Sequence, residues 1–115
     1  MPRDDRDALH DIRDAAQLIL DYTRGMDFEA FRSNQLVGDA VVRRFEIIGE
    51  ATKRLSSELR QRYPMVPWEE MAGMRDRVIH GYDAIDWQIV WKATEQSLPQ
   101  LVESMDTILR ELERE

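Results

Sequence analysis

Apolar residues and threonines recur along this chain at alternating spacings of three and four, which places them on one side of an α-helix. The first stripe contains Leu9, Ile12, Ala16, Ile19 and Thr23, and the second contains Val41, Phe45, Ile48, Thr52 and Leu55. No stretch has the period-two alternation of a half-buried strand, and the sequence has no internal repeat. The pattern therefore predicts an all-α fold, an up-and-down bundle of four to five helices.

Glycine and proline residues give the expected boundaries of the helices in the first half of the chain. The first helix is predicted over residues 4–24 and ends at Gly25, because a left-handed residue after the last turn is easiest without a Cβ. A short helical turn is predicted over 28–32, and a long helix over 35–62. Pro64 then belongs to a loop.

The second half is divided in the same way. Pro67 suits the first turn of a helix that runs to about His80, and Gly81 is its expected C-terminal glycine. Asp86 is the expected N-cap of a further helix, and Pro99 breaks that helix so that a last helical segment follows.

The composition narrows the class of protein. A chain of 115 residues, 43% hydrophobic and 34% charged, is typical of one helical domain, predicted over 1–115. The absence of cysteine excludes disulfides, zinc-thiolate sites and thiol catalysis. The charged N-terminus lacks the apolar region of a signal peptide, and no run is long enough for a membrane span, so we expect a cytoplasmic protein with no membrane partner.

The net charge of −7 does not favour nucleic acid as a partner, but the charge is unevenly distributed. Residues 43–77 contain eight basic and six acidic side chains, so this segment carries +2 and the remainder carries −9. It is the only plausible phosphate-facing region of the chain. The alternative is that most of these charges are the solvated faces of helices, and for most of the eight basic residues we favour it.

Two histidines are present, and only one lies near residues that suit catalysis. His10 is four residues before Asp14, which favours a solvated charged pair without a functional role. His80 follows Arg75 by five residues, and these side chains supply a proton carrier and a fixed positive charge. Phosphodiester cleavage without a metal needs both groups. On a regular helix the two residues differ by about 140° in direction. Either Arg75 reaches around by its long side chain, or the two groups meet when the same segment of a second subunit comes alongside.

The run RDRVIHGY at 75–82 contains an arginine, four residues, a histidine, one residue and a tyrosine. This pattern, with the flanks AVVRRFEIIGEATKRL at 40–55, VPWEEMAGMRDRVIHGYDAIDWQIVW at 66–91 and LPQLVE at 98–103, resembles the HepT-like toxins among the HEPN domains. The resemblance covers nearly the whole chain. The short pattern alone is weak, but its flanks stand in the same order and at family length.

The resemblance implies a homodimeric endoribonuclease that cleaves RNA without metal or cofactor. It implies the toxin of a toxin-antitoxin pair whose antitoxin is a minimal nucleotidyltransferase. Carried over by position, Arg75 and His80 form the catalytic pair, with Asp76 and Arg77 as supporting residues of the motif. Tyr82 is the tyrosine that such an antitoxin modifies with adenosine monophosphate. Many relatives have asparagine at the position of Asp76, and a carboxylate there weakens the attraction of Arg75 for phosphate.

Two alternatives to a nuclease remain open at the level of the sequence. The first is a HEPN-like bundle that binds nucleotide or RNA without cutting it, and the second is a purely structural dimerisation domain. Trp87 and Trp91, one helical turn apart, either stack on bases or belong to the core. An aromatic pair at that spacing is more often part of a core, and we favour that interpretation.

Overall fold

The computed structural model describes residues 3–74, 76, 79–80 and 84–115, and the side chains of residues 5–74, 76 and 85–115. The helices of this part are α1 (Arg3–Tyr22), α2 (Phe28–Ser33), α3 (Gln35–Arg54), α4 (Ser57–Arg62), α5 (Trp68–Ala72), α6 (Trp87–Gln96) and α7 (Leu98–Glu113). Two strands of two residues each, β1 (Ile79–His80) and β2 (Ala84–Ile85), form an antiparallel pair. The predicted all-α class is confirmed, but the predicted four to five helices become seven in the described part.

The hydrophobic core forms where α1 packs against both α3 and α7. All ten residues of the two predicted stripes are buried. The threonines fit the core because their hydroxyls bond within the helix: Thr23 Oγ1 donates to the Ile19 carbonyl at 2.8 Å, and Thr52 Oγ1 to the Ile48 carbonyl at 2.7 Å. A buried hydroxyl with such a partner avoids the cost of an unsatisfied polar group.

Several predicted boundaries are confirmed. Gly25 has a positive φ of 78° after α1, the left-handed conformation expected of a glycine there. Asp86 caps α6, because its carboxylate accepts the N–H of Ile89 at 3.2 Å. Pro99 lies in the first turn of α7, and Ser97 separates that helix from α6.

The long helix predicted over 35–62 is wrong, because the chain leaves helical geometry at Leu55, with φ −67° and ψ 140°. Ser56 starts α4 by accepting the N–H of Leu59 on its hydroxyl oxygen at 3.1 Å. Ser56 also donates its backbone N–H and its hydroxyl to the carboxylate of Asp5, at 2.9 and 2.7 Å. A contact with α1 therefore stabilises the break.

The helix predicted from Pro67 to about His80 is also wrong. Pro67 does precede a helix, but α5 ends at Ala72 and Gly73 is its C-cap, with a backbone N–H that donates to the carbonyls of Glu69 and Met71. Met74 and Asp76 again have helical backbone, whereas His80 lies in β1. The predicted role of Gly81 as a helix terminator falls outside the described residues.

No helix in the described part of the chain is long and apolar enough to cross a membrane.

Candidate active site

The motif suggested by the sequence lies where the chain passes from helical to extended backbone. Five of its residues fall outside the described residues: Arg75, Arg77, Val78, Gly81 and Tyr82. For His80 the backbone alone is described: it pairs with Ala84 across the two strands, which we call the motif strand pair. Asp76 has helical backbone and an exposed side chain.

The position of His80 changes the geometric argument for a site shared between subunits. An angle of about 140° between Arg75 and His80 applies only to one regular helix through both residues. Because His80 lies on extended backbone, that angle does not hold. A composite site therefore no longer follows from helical geometry, and the family resemblance implies the homodimer alone.

Residues 75–84, which we call the motif segment, have a residue on either side that packs against the hydrophobic core. Met74 precedes the segment and Ile85 follows it. Asp86 follows at once and caps α6. Asp76, between these two ends, is exposed. Met74 and Ile85 are therefore held by the core, whereas the described polar side chain between them faces solvent.

An aromatic cluster lies immediately after the motif strand pair. The rings of Trp91 and Phe31 have centroids 5.0 Å apart, and the Trp87 ring meets Phe31 edge-on at 5.7 Å. Trp91 also lies 6.5 Å from Phe28. The interpretation of the two tryptophans as core residues is confirmed, because Trp91 is buried and Trp87 is half-buried against this cluster.

Two residues of this region were missed by the sequence analysis. Gly38 in α3 lies under the Trp87 ring, so closely that a Cβ there would be 2.8 Å from its Cη2 atom. Arg32 lies above the same ring, with its guanidinium carbon 5.5 Å from the ring centroid. Neither contact has a signal in the sequence, because each joins residues that are distant along the chain.

Most of the basic residues of the segment 43–77 that the structure describes are engaged within the molecule. The ion pairs are Arg43–Glu46 at 3.8 Å, Arg54–Asp11 at 2.6 Å and Arg62–Glu115. Arg60 instead donates to the carbonyl of Leu55 at 3.1 Å. For these four residues the alternative of ordinary helix-surface charges is confirmed.

Arg62 also affects the charge state of the chain end. Its hydrogen bond to the Glu115 carboxylate lowers the pKa of that group below the usual value. The neighbouring Tyr63 donates its hydroxyl to Glu111 at 2.7 Å. Burial, as the larger cause, and that hydrogen bond raise the pKa of Tyr63 above its ordinary value. These contacts join α4 to α7 and stabilise the fold.

A shallow groove between α1 and α7 contains His10, the histidine outside the motif. His10 lines it together with Arg13, Asp14, Asp106 and other polar residues. Asp14 is paired with Arg13 at 3.6 Å, and Arg13 in turn bonds Asp106 at 2.9 Å, which raises the pKa of its guanidinium. The groove mixes charges of both signs, and within the described residues no group of three His, Cys, Asp or Glu side chains could hold a metal ion.

Comparison with known proteins identifies the family of this chain. The sequence profile described as "Ribonuclease HepT-like" matches residues 12–108. The chain therefore belongs to the HepT-like ribonuclease family.

Individual relatives agree with this family over nearly their full length. "Probable ribonuclease HepT" of Thermococcus cleftensis is 41% identical over 101 residues, which are 88% of this chain and 92% of the relative. "Putative RNase MJ0125" of Methanocaldococcus jannaschii is 38% identical over 114 residues, 98% of each chain. "Putative RNase TTE0752" of Caldanaerobacter subterraneus is 36% identical over 105 residues, 91% of this chain and 94% of the relative. No solved structure matches the chain.

Proposed function

We propose that this protein is an endoribonuclease that cuts RNA without a metal ion, and that Arg75 and His80 carry the reaction. The observation that carries the proposal is the family match over residues 12–108, which includes the arginine and histidine of the motif. Relatives that align over nearly the whole chain are named as RNases. The packing of Met74 and Ile85, the described residues on either side of the motif, against the core supports it, because a catalytic segment needs support from a rigid frame.

The proposed mechanism is transesterification within the RNA chain. The ribose 2′-oxygen attacks the adjacent phosphorus, the bond from phosphorus to the 5′-oxygen breaks, and a proton passes from the 2′-hydroxyl to the leaving 5′-oxygen. His80 transfers that proton, since imidazole changes charge near neutral pH. Arg75 stabilises the extra negative charge on the phosphoryl oxygens. The products are a 2′,3′-cyclic phosphate and a free 5′-hydroxyl.

The purified protein tests this mechanism on a single-stranded RNA, on the DNA of the same sequence, and on RNA with 2′-O-methyl groups. We expect cleavage of the unmodified RNA alone, with activity retained in EDTA, because only that substrate has the attacking hydroxyl. Product ends are identified by mass spectrometry. Cleavage of DNA, or loss of activity in EDTA, would contradict the mechanism.

We further propose that the nuclease is a toxin controlled by a minimal nucleotidyltransferase antitoxin, with Tyr82 as the modified residue. In this step the Tyr82 oxygen attacks the α-phosphorus of ATP bound to the antitoxin, pyrophosphate leaves, and the phenolic proton is lost. The attached adenosine monophosphate would place negative charge two residues from His80, where substrate phosphate must approach. Mass spectrometry of the protein co-expressed with such a partner should find the added nucleotide on Tyr82. An unmodified Tyr82 in fully inhibited protein would mean that the antitoxin acts by occlusion.

A protein that binds RNA without cutting it is the alternative function. The observation that favours it is the negative charge of Asp76 beside Arg75 in sequence, because a carboxylate there would reduce the stabilisation that Arg75 gives to charge on the phosphoryl oxygens. Such a protein would retain RNA in a binding assay while leaving it intact over long incubation. Substitution of Asp76 by asparagine should then raise affinity for RNA without producing cleavage.

A further inference from the structure

Arg32 is an exposed arginine whose position is set by an aromatic ring. Its guanidinium lies over the face of Trp87, 5.5 Å from the ring centroid, while the ring itself is half-buried. A guanidinium over a ring is attracted by the negative face of the ring, and this contact does not use up its N–H donors. Arg32 therefore presents several donors to solvent from a defined place.

The ring under Arg32 has little freedom to move. On one side lies Gly38, where even a Cβ would come within 2.8 and 2.9 Å of two ring atoms. The ring of Phe31 stands against it at an interplanar angle of 69°. Because α2, α3 and α6 each contribute a contact, the ring is fixed by the core, and it holds Arg32 above it.

The ring under Arg32 belongs to a residue that follows the motif strand pair closely in sequence. Trp87 begins α6 directly after Ile85 and Asp86, and Ala84 is the residue paired with His80. Three consecutive Cα–Cα steps separate Ala84 from Trp87, a span of at most about 11 Å. The guanidinium over the Trp87 ring is therefore within a few nucleotide lengths of the backbone that carries His80.

We propose that Arg32, held on Trp87, binds a phosphate of the RNA strand beside the motif strand pair. The proposal rests on the ribonuclease function proposed above. A strand that reaches His80 carries further phosphates on either side, and contacts to them fix its position and register. In a chain of net charge −7, whose Arg43, Arg54 and Arg62 are paired with carboxylates, a fixed arginine near the motif is a suitable phosphate contact.

The test is a titration of full-length protein with a fluorescent 2′-O-methyl RNA, followed by anisotropy at several salt concentrations. The slope of log K against log salt is negative, and loss of one phosphate contact to a single strand reduces its magnitude by about 0.7. This corresponds to about five-fold weaker binding at 0.1 M salt. We expect this change for Arg32→Gln. Arg32→Lys keeps the charge without the flat stacking group, and should keep the slope with a smaller loss of affinity.

The matched control is Arg110→Gln, which removes the same charge from an exposed position. Arg110 lines the groove beside His10. His10 lies twelve residues before the end of α1, about 18 Å along that helix, and α2, which carries Arg32, begins after that end. We expect wild-type slope and affinity for this variant. Equal losses in Arg32→Gln and Arg110→Gln would reduce the effect to net charge and overturn the proposal, as would wild-type binding by Arg32→Gln.

A parallel cleavage assay on unmodified RNA separates the two proposals. For Arg32→Gln we expect KM to rise about five-fold with kcat near the wild-type value, because a phosphate contact away from the reacting bond binds ground state and transition state alike. A wild-type protein that neither binds nor cuts RNA would contradict the ribonuclease function itself. A wild-type protein that cuts RNA, with Arg32→Gln unchanged in KM, would contradict only the assignment of Arg32.

Discussion

At Gly38 the backbone of α3 lies against the ring of Trp87, so this position has no room for a side chain. A Cβ would lie 2.8 and 2.9 Å from two atoms of the ring, which is itself held by Phe31. Gly38→Ala should therefore destabilise the protein by about 1–3 kcal/mol through overpacking, as a fall in the urea midpoint with an unchanged slope.

Gly73→Ala is the matched control for this prediction. Gly73 has φ −87° and ψ 0°, and a Cβ there would have Glu69 O as its nearest neighbour, at 3.4 Å. We expect a change within about 0.5 kcal/mol. Equal losses of stability at Gly38 and Gly73 would mean that the contact with Trp87 is not the cause.

Local contacts at this scale could be predicted from the sequence, and long-range ones could not. The cap at Asp86 depends on Ile89, three residues away, and the left-handed Gly25 depends on its own helix end. The contacts of Gly38 and Arg32 with Trp87 join residues roughly fifty positions apart. Nothing in the local pattern marks either residue, because the contact exists only once the helices have packed.

The break between α3 and α4 depends on a network that joins Ser56 to Asp5. Ser56→Ala removes the N-cap of α4 and should cost about 1–2 kcal/mol. Asp5→Ala removes the acceptor of the Ser56 N–H and hydroxyl and should cost about 1–3 kcal/mol. Because the two residues share these bonds, the double variant should lose at least about 0.5 kcal/mol less than the sum.

Urea unfolding of the four proteins in this cycle measures the coupling. Ser57→Ala is the control, since the neighbouring serine is exposed and caps nothing; its change should stay within about 0.5 kcal/mol. Additive losses for Asp5 and Ser56 would contradict a shared network.

The sequence could not reveal this break by periodicity. Leu55 and Leu59 are both buried and are four residues apart, so the apolar stripe continues across the end of α3 into α4. The available signal was local, two adjacent serines at 56 and 57, of which the first can cap a helix. The partner that decides the outcome, Asp5, lies at the start of α1. The helix predicted from Pro67 to about His80 passes over Gly73, the residue that ends α5.

At the scale of the whole molecule, we expect a symmetric dimer with the motif near the two-fold axis, and light scattering at micromolar concentration measures it. If the site combines Arg75 of one subunit with His80 of the other, a dimer of Arg75→Ala and His80→Ala subunits keeps one intact pair. Random mixing of the two inactive variants should then restore about a quarter of the wild-type ribonuclease activity.

The mixture gives a clear answer for either geometry. If the site lies within one subunit, no mixed dimer contains Arg75 and His80 in the same subunit, so the mixture should be as inactive as its parents. A monomer in solution would contradict the shared site directly. Size-exclusion chromatography of the mixture, with the two subunits carrying different tags, confirms that exchange has occurred before activity is measured.

The central claim is that His80 performs proton transfer in RNA cleavage, and the most direct measurement compares cleavage rates of wild-type, His80→Ala and His10→Ala proteins on one RNA in EDTA. His10 is an exposed histidine in the groove between α1 and α7, so its removal matches the chemical change without touching the motif. We expect kcat to fall by about 10²–10⁴ for His80→Ala and to remain at the wild-type value for His10→Ala. Cleavage by His80→Ala within a few-fold of wild type would contradict the claim.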